Sequence, residues 1–220
     1  NVRRFSIQMV QETLRNFLLT LWNTYSFFVM YANIDKYDPR SAAPASRTDL
    51  DTWILSELNQ LVADVTKALE EYDPTTAARR IEAFVDDLSN WYVRRSRRRF
   101  WKSESDTDKL AAHSTLHQCL ATMSRLLAPF TPFVAEEMYQ NLVRSIHPEA
   151  PESVHLADFP TADMSCVDER LAADTRLAIR ICSLGRAARA RAQVKVRQPL
   201  PGVIIKVRNE QEAGAVRKLA

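Results

Sequence analysis

Apolar residues spaced three and four positions apart constrain this chain more than any other feature. Leu14, Phe17, Leu18, Leu21, Trp22, Tyr25, Phe28, Val29 and Ala32 follow that spacing. One face of an α-helix repeats every ~3.6 residues, so the pattern predicts a first amphipathic helix over roughly 5–32. Only three glycines occur in 220 residues, at 185, 202 and 214. An all-β sandwich or barrel needs many tight turns, and glycine is the residue those turns use most readily. Long helices around a buried core are the favoured solution for a chain of this length.

The same periodicity predicts further helices. "YDPRSAAPASRTD" is a polar, proline-bearing linker. It precedes a second helix with Trp53, Leu55, Leu58, Leu61, Val62, Val65 and Leu69 facing inward. Asp73-Pro74 supplies an N-cap acid and a proline at the first helical position, opening a third helix that runs to about Trp101. A fourth spans roughly 106–128, and Thr131-Pro132 restarts the chain as a shorter fifth. After the extended connector "HPEAPESVHLADFP", a sixth runs from about Met164 to Arg191. "VKVRQPLPGVIIKV" then alternates with period two and reads as strand, turn and strand, before a last helix in "EQEAGAVRKLA". The expected fold is an all-α helical bundle over 1–191, followed over 192–220 by the beginning of a small α/β module. The start without methionine and the stop in mid-pattern read as a piece cut from a longer protein.

Composition narrows the function classes. Hydrophobic residues at 46% and charged residues at 26% describe an ordinary soluble globular chain. No apolar run reaches the length of a membrane span, so none is expected. Cys119, Cys166 and Cys182 are odd in number, widely spaced and without a C-x-x-C, which fits reduced, mostly buried thiols of a cytosolic protein. Net charge is only +3. Its distribution is more informative.

Residues 89–101 read "SNWYVRRSRRRFW", with five arginines in six positions. On a helical wheel, Ile81, Phe84, Val85, Leu88, Trp91 and Tyr92 form a core stripe. Its continuation lands on Arg95 and Arg99, with Arg98 at the edge, leaving Ser96 and Phe100 to the remainder. The inner face is thus expected to turn from apolar to cationic after Tyr92. Like charges at Arg94–Arg98 and Arg95–Arg99 destabilise an isolated helix by a few tenths of a kcal/mol each, and no acid lies in the local sequence to offset them. A polyanion relieves the repulsion and releases counterions. Guanidinium groups bind phosphate in bidentate fashion and stack on rings. Trp91, Tyr92, Phe100 and Trp101 stand beside them, as recognition of unstacked RNA bases requires. The competing reading is a helix that projects past the bundle, with solvated arginines and aromatics used for packing.

Other patterns carry less. His113 and His117 share a helix face near Cys119, but no fourth ligand stands at zinc-site spacing, and surface histidines with a buried thiol are expected instead of a metal site. Glu136-Glu137 read as first-turn acids that suit the positive end of a helix dipole. Three scattered glycines exclude a phosphate-binding loop. "GRAARARAQVKVR" is a second basic stretch, either a solvated helix face or a secondary contact to an RNA backbone.

"LSNWYVRRSRRRFW" resembles the signature in the anticodon-binding region of isoleucyl-tRNA synthetases. "LWNTYSFFVMYANID" resembles that family's first bundle helix and "DTWILSELNQLV" its second. "LAPFTPFVAEEMYQNL" is similar to a segment shared by the isoleucine, valine and leucine enzymes, and "SVHLADFP" and "KVRQPL" match segments beyond the bundle. The likeness covers nearly the whole chain in order. It implies part of a class I ligase that activates isoleucine with ATP and transfers it to tRNA. The family's HIGH and KMSKS signatures and its editing domain do not occur here. The resemblance therefore implies no catalytic residue, metal or cofactor in this chain, with ATP and magnesium handled by a catalytic domain of the same polypeptide. It places tRNA binding on Asn90, Trp91, Arg94, Arg95, Arg98, Arg99 and Trp101. Asn23 is added as an amide able to read a base edge, with a surface or interhelical hydrogen bond as its alternative. A cytoplasmic monomer with tRNA as partner and no membrane is expected. The alternatives are a helical adaptor for an acidic protein, or the same domain from a valine or leucine enzyme.

Overall fold

Single residues fix where the helices begin. Thr48 accepts a hydrogen bond from the Asp51 amide while the Asp51 carboxylate accepts one from the Thr48 amide, a reciprocal capping box that starts α3 (Asp49–Glu70). Asp73 accepts from the Thr76 amide at 3.0 Å, and Pro74 occupies the first position of α4 (Pro74–Asp86). Ser6 caps α1 (Ile7–Thr13) in the same way. The computed structural model describes residues 6–40, 44, 46–102 and 106–219.

α1 passes through a π turn (Leu14–Leu18) into α2 (Leu19–Asp35), and α4 passes through another (Asp87–Val93) into α5 (Arg94–Trp101). α6 (Asp106–Leu127) and α7 (Pro132–Tyr139) follow, α7 ending in a third π turn (Gln140–Arg144). Beyond two short 3₁₀ turns come α8 (Glu169–Arg191) and α9 (Glu210–Leu219). The chain divides into two compact units, Asn1–Val167 and Asp168–Ala220.

In the first unit α3 is the central helix. Its first half is buried almost all round, including Trp53, Ile54, Leu55, Leu58, Leu61 and Val62, because it packs on both α4 and α6. α6 contributes Ala112, Leu116, Cys119, Leu120 and Met123 to the same core, and α7 packs on α6 through Ala135, Met138 and Tyr139. The first five predicted helices therefore form a bundle in the predicted order, while the sixth, expected within it, begins at Glu169 as α8 and falls in the second unit.

In the second unit α8 and α9 pack together, with Ala172, Leu177 and Ala215 covered. The expected strand–turn–strand between them is not formed: no strand occurs among the described residues. Val203 and Ile204 are exposed instead of paired. A lone two-stranded hairpin is marginal in water, and residues 192–209 have no third strand or apolar sheet face to pack on among the described residues.

Candidate nucleic-acid interface

The π turn at Asp87–Val93 decides which side of the arginine helix faces outward. A π turn closes i→i+5 hydrogen bonds, so it holds about one residue more than an α turn and rotates everything after it by roughly 100°. The buried stripe therefore runs Leu88, Tyr92, Val93, Ser96 and Phe100, not Arg95 and Arg99. Ser96 and Phe100, left by the wheel to the sector without arginines, are 0% and 1% exposed. Phe100 meets Phe27 of α2 and His113 of α6 edge to face, at centroid distances of 5.1 and 4.8 Å. The inner face of this helix stays closed to the end of α5, and Arg94, Arg95, Arg97 and Arg98 are exposed.

Arg99 sits differently from the other four. Its side chain is only 14% exposed and lies between two carboxylates. Nη1 and Nη2 donate to the two oxygens of Asp51 at 2.8 Å each, and Nε donates to Asp108 Oδ1 at 2.9 Å. Asp51 is fully buried and also accepts from the Tyr92 hydroxyl at 2.7 Å and the Thr48 hydroxyl at 2.7 Å. Burial alone would push the Asp51 carboxyl up, but these donors outweigh it and hold it below the usual carboxylate range. Burial, then the neighbouring Asp51 carboxylate, pushes the Tyr92 hydroxyl well above its ordinary value. Arg99 opposes its own desolvation through Asp51 and Asp108 and stays charged. The guanidinium expected to bind tRNA thus pins α5 to the start of α3 and the first turn of α6. The acids that neutralise it are not Asp86 or Asp87 nearby but Asp51, 48 positions away, and Asp108.

The remaining site residues divide by exposure. Arg95 places its guanidinium carbon 3.6 Å from the centroid of the half-buried Trp91 ring, a cation–π stack. Trp101 is 60% exposed at the end of α5. Asn90 is exposed, and its Nδ2 donates to Asp86 Oδ1 at 2.6 Å, which fixes the amide and leaves Oδ1 as an acceptor. Arg97, not singled out by sequence, is also exposed and lies 6.0 Å above the Phe27 ring. Asn23 is exposed on α2, a helix that packs against the π turn at Asp87–Val93, and its side chain makes no hydrogen bond among the described residues. The structure brings Asn90, Trp91, Arg94, Arg95, Arg97, Arg98 and Trp101 onto one short length of helix, and draws Arg99 inside. Arginine density along the chain could have flagged Arg97; nothing local could have flagged Asp51.

The discounted patterns resolve in structural terms. His113 is not a surface residue: its Nε2 donates to Asp35 Oδ2 at 2.9 Å, and Tyr37 stacks on its ring at 5.0 Å. His117 Nε2 donates to the Leu142 carbonyl at 2.9 Å. No group of metal-ligating side chains converges among the described residues. Glu136 lies beyond the first turn of α7. Its carboxylate accepts from the Ser153 hydroxyl and the Val154 amide at 2.9 Å each, tying down the connector. Cys119 is buried, but Cys166 is exposed.

A helical bundle that presents four exposed guanidinium groups beside an exposed indole has the chemistry to meet a polyanion. The chain belongs to the family described as the anticodon-binding domain of tRNA ligase, which matches residues 51–205. It is 59% identical, over its whole length, to an isoleucine–tRNA ligase of Dehalococcoides mccartyi, of which it covers 22%. It is 50% identical over 99% of its length to the Thermus thermophilus isoleucine–tRNA ligase, covering 21% of that protein. The Deinococcus radiodurans isoleucine–tRNA ligase is 46% identical over 98% of the chain and is covered to 20%. The chain thus spans about a fifth of the length of these relatives.

Proposed function

We propose that this chain is the tRNA-binding helical domain of an isoleucine–tRNA ligase and grips the anticodon arm without catalysing a reaction itself. The observation that carries this reading is the outward face of α5, where Arg94, Arg95, Arg97 and Arg98 stand free of any acid partner among the described residues, with Arg95 stacked on Trp91. Arginines on phosphates position an RNA, and base-edge contacts discriminate. Arg94 and Arg98 are assigned to phosphates. The Arg95–Trp91 stack and Trp101 offer flat surfaces to unstacked bases, the Asn90 amide reads a base edge, and Asn23 is a second candidate reader. Arg99 acts from inside by holding α5 in place. ATP-dependent attachment of isoleucine, with its ATP and magnesium, belongs to other parts of the parent polypeptide, a cytoplasmic monomer. Identity of 46–59% to three isoleucine enzymes over 98–100% of this chain favours isoleucine over valine or leucine.

Filter binding or anisotropy of an isoleucine tRNA transcript over a series of salt concentrations tests this. Binding is expected at low salt and falls steeply as salt rises. Arg94→Ala and Arg98→Ala are each expected to lower the logarithmic salt slope by about one unit. Absence of binding at low salt, or a slope indifferent to both changes, refutes the reading.

A further inference from the structure

The two units carry charge of opposite sign. Residues 168–220 hold twelve Lys and Arg against five Asp and Glu, a net +7, while residues 1–167 hold 18 against 22, a net −4. The unit with the arginine cluster is therefore acidic as a whole, and the basic character of the chain resides in the other unit. Within it, no acid occurs from Thr175 to Asn209, a stretch with nine Lys and Arg.

Local structure gathers part of that charge at the end of α8. Gln193 adopts a left-handed conformation (φ 57°) and stops the helix. Arg189 then donates through Nη1 to the Lys195 carbonyl at 3.0 Å and the Gln198 carbonyl at 2.8 Å, folding the following residues back beside the last turn. Arg186, Arg191, Lys195 and Arg197 are left exposed around this knot, and none of their side chains makes a hydrogen bond or ion pair among the described residues. Cations in a last helical turn complement the helix dipole, which accounts for Arg191. It does not account for Lys195 and Arg197, which lie beyond the helix, nor for 35 residues without an acid. Four uncompensated cations on a braced turn raise the local positive potential, and phosphates with condensed counterions are the partner that lowers it.

We infer that the end of α8 and the turn after it form a second phosphate-contacting surface, which binds the backbone of the same tRNA separately from α5. This rests on the tRNA-binding reading above. Being backbone contact, it adds affinity and salt dependence without base preference.

The test compares salt slopes for three versions of the 220-residue chain with isoleucine and valine tRNA transcripts: unchanged, R94A/R98A, and R186A/R191A/K195A/R197A. Circular dichroism first establishes that helicity is retained, as expected for four exposed positions. The quadruple variant is expected to lower the slope by at least two units, equally for both transcripts, with R94A/R98A lowering it independently. A quadruple variant whose slope matches the unchanged chain overturns the second surface while leaving α5 as the site. A loss confined to one transcript overturns it as a backbone contact. If R94A/R98A leaves the slope unchanged, the α5 reading fails, and a fall with the quadruple variant then assigns all phosphate contact to α8.

Discussion

Arg99 and its neighbours show how one residue type serves two purposes within six positions. Arg99 faces Asp51, a fully buried carboxylate with five hydrogen bonds from Thr48, Tyr92 and Arg99. Removing one partner of a buried pair leaves the other charge without compensation, at a cost of about 3–5 kcal/mol. Arg99→Ala is therefore expected to lower the unfolding free energy by that amount in urea titrations, and Arg94→Ala, fully solvated, by less than about 0.5 kcal/mol. Salt separates the two roles further. A pair inside the protein is screened little, so unfolding of the unchanged chain should be nearly indifferent to salt over the range in which RNA binding is lost. Equal destabilisation by Arg94→Ala and Arg99→Ala would contradict this division. Sequence could not reveal it, because Asp51 is distant along the chain and reads as an ordinary first-turn acid of α3.

Secondary structure was legible wherever periodicity alone decides it. Each predicted bundle helix is present, and the caps at Thr48 and Asp73 stand where their residue types require. The face presented by α5 was not legible, because a wheel assumes one rotation per residue and the π turn at Asp87–Val93 breaks that assumption. The strands expected between α8 and α9 fail for a different reason: alternation marks a strand only where a sheet exists to receive it. The shifted register makes its own prediction at Ser96. This residue is 0% exposed inside the helix, and its hydroxyl has no partner among the described residues. Ser96→Ala removes an unsatisfied buried group and improves helix propensity, so it should raise stability by roughly 0.5–2 kcal/mol. A urea midpoint that is unchanged or lowered in this single variant would show that the hydroxyl is satisfied where it is buried.

At the scale of the first unit, two buried histidines and two ion-paired carboxylates bias stability in one direction with pH. Burial, opposed by Asp35, holds His113 below its ordinary value; burial, opposed by the Leu142 carbonyl, does the same for His117. Each imidazole is therefore more readily protonated in the unfolded chain. Their contribution is complete above the unfolded value of about 6.5 and declines as pH falls through it toward the lower folded values. Asp51 and Asp35 resist burial through Arg99, Tyr92 and Thr48 in one case and Lys109 and His113 in the other, so their folded values are depressed. Their contribution is present above the unfolded carboxyl value of about 3.9 and is lost as pH falls toward the folded ones. The two windows are separable. Between pH 7.5 and 5 the unfolding free energy should fall, and a His113→Asn, His117→Asn double variant, less stable at pH 7.5, should show a flatter dependence. Below pH 4 the double variant should still lose stability, less steeply than the unchanged chain, because the Asp51 cluster is intact while Asp35 has lost His113 and keeps only Lys109. Asp51→Asn should flatten only that acid limb. Urea titrations at half-unit pH intervals resolve both limbs, and a double variant with the original slope above pH 5 would show that neither imidazole controls it. RNA binding should have a different dependence: across pH 7.5 to 5 the folded protein should keep its arginine contacts to phosphate while its bundle weakens beneath them.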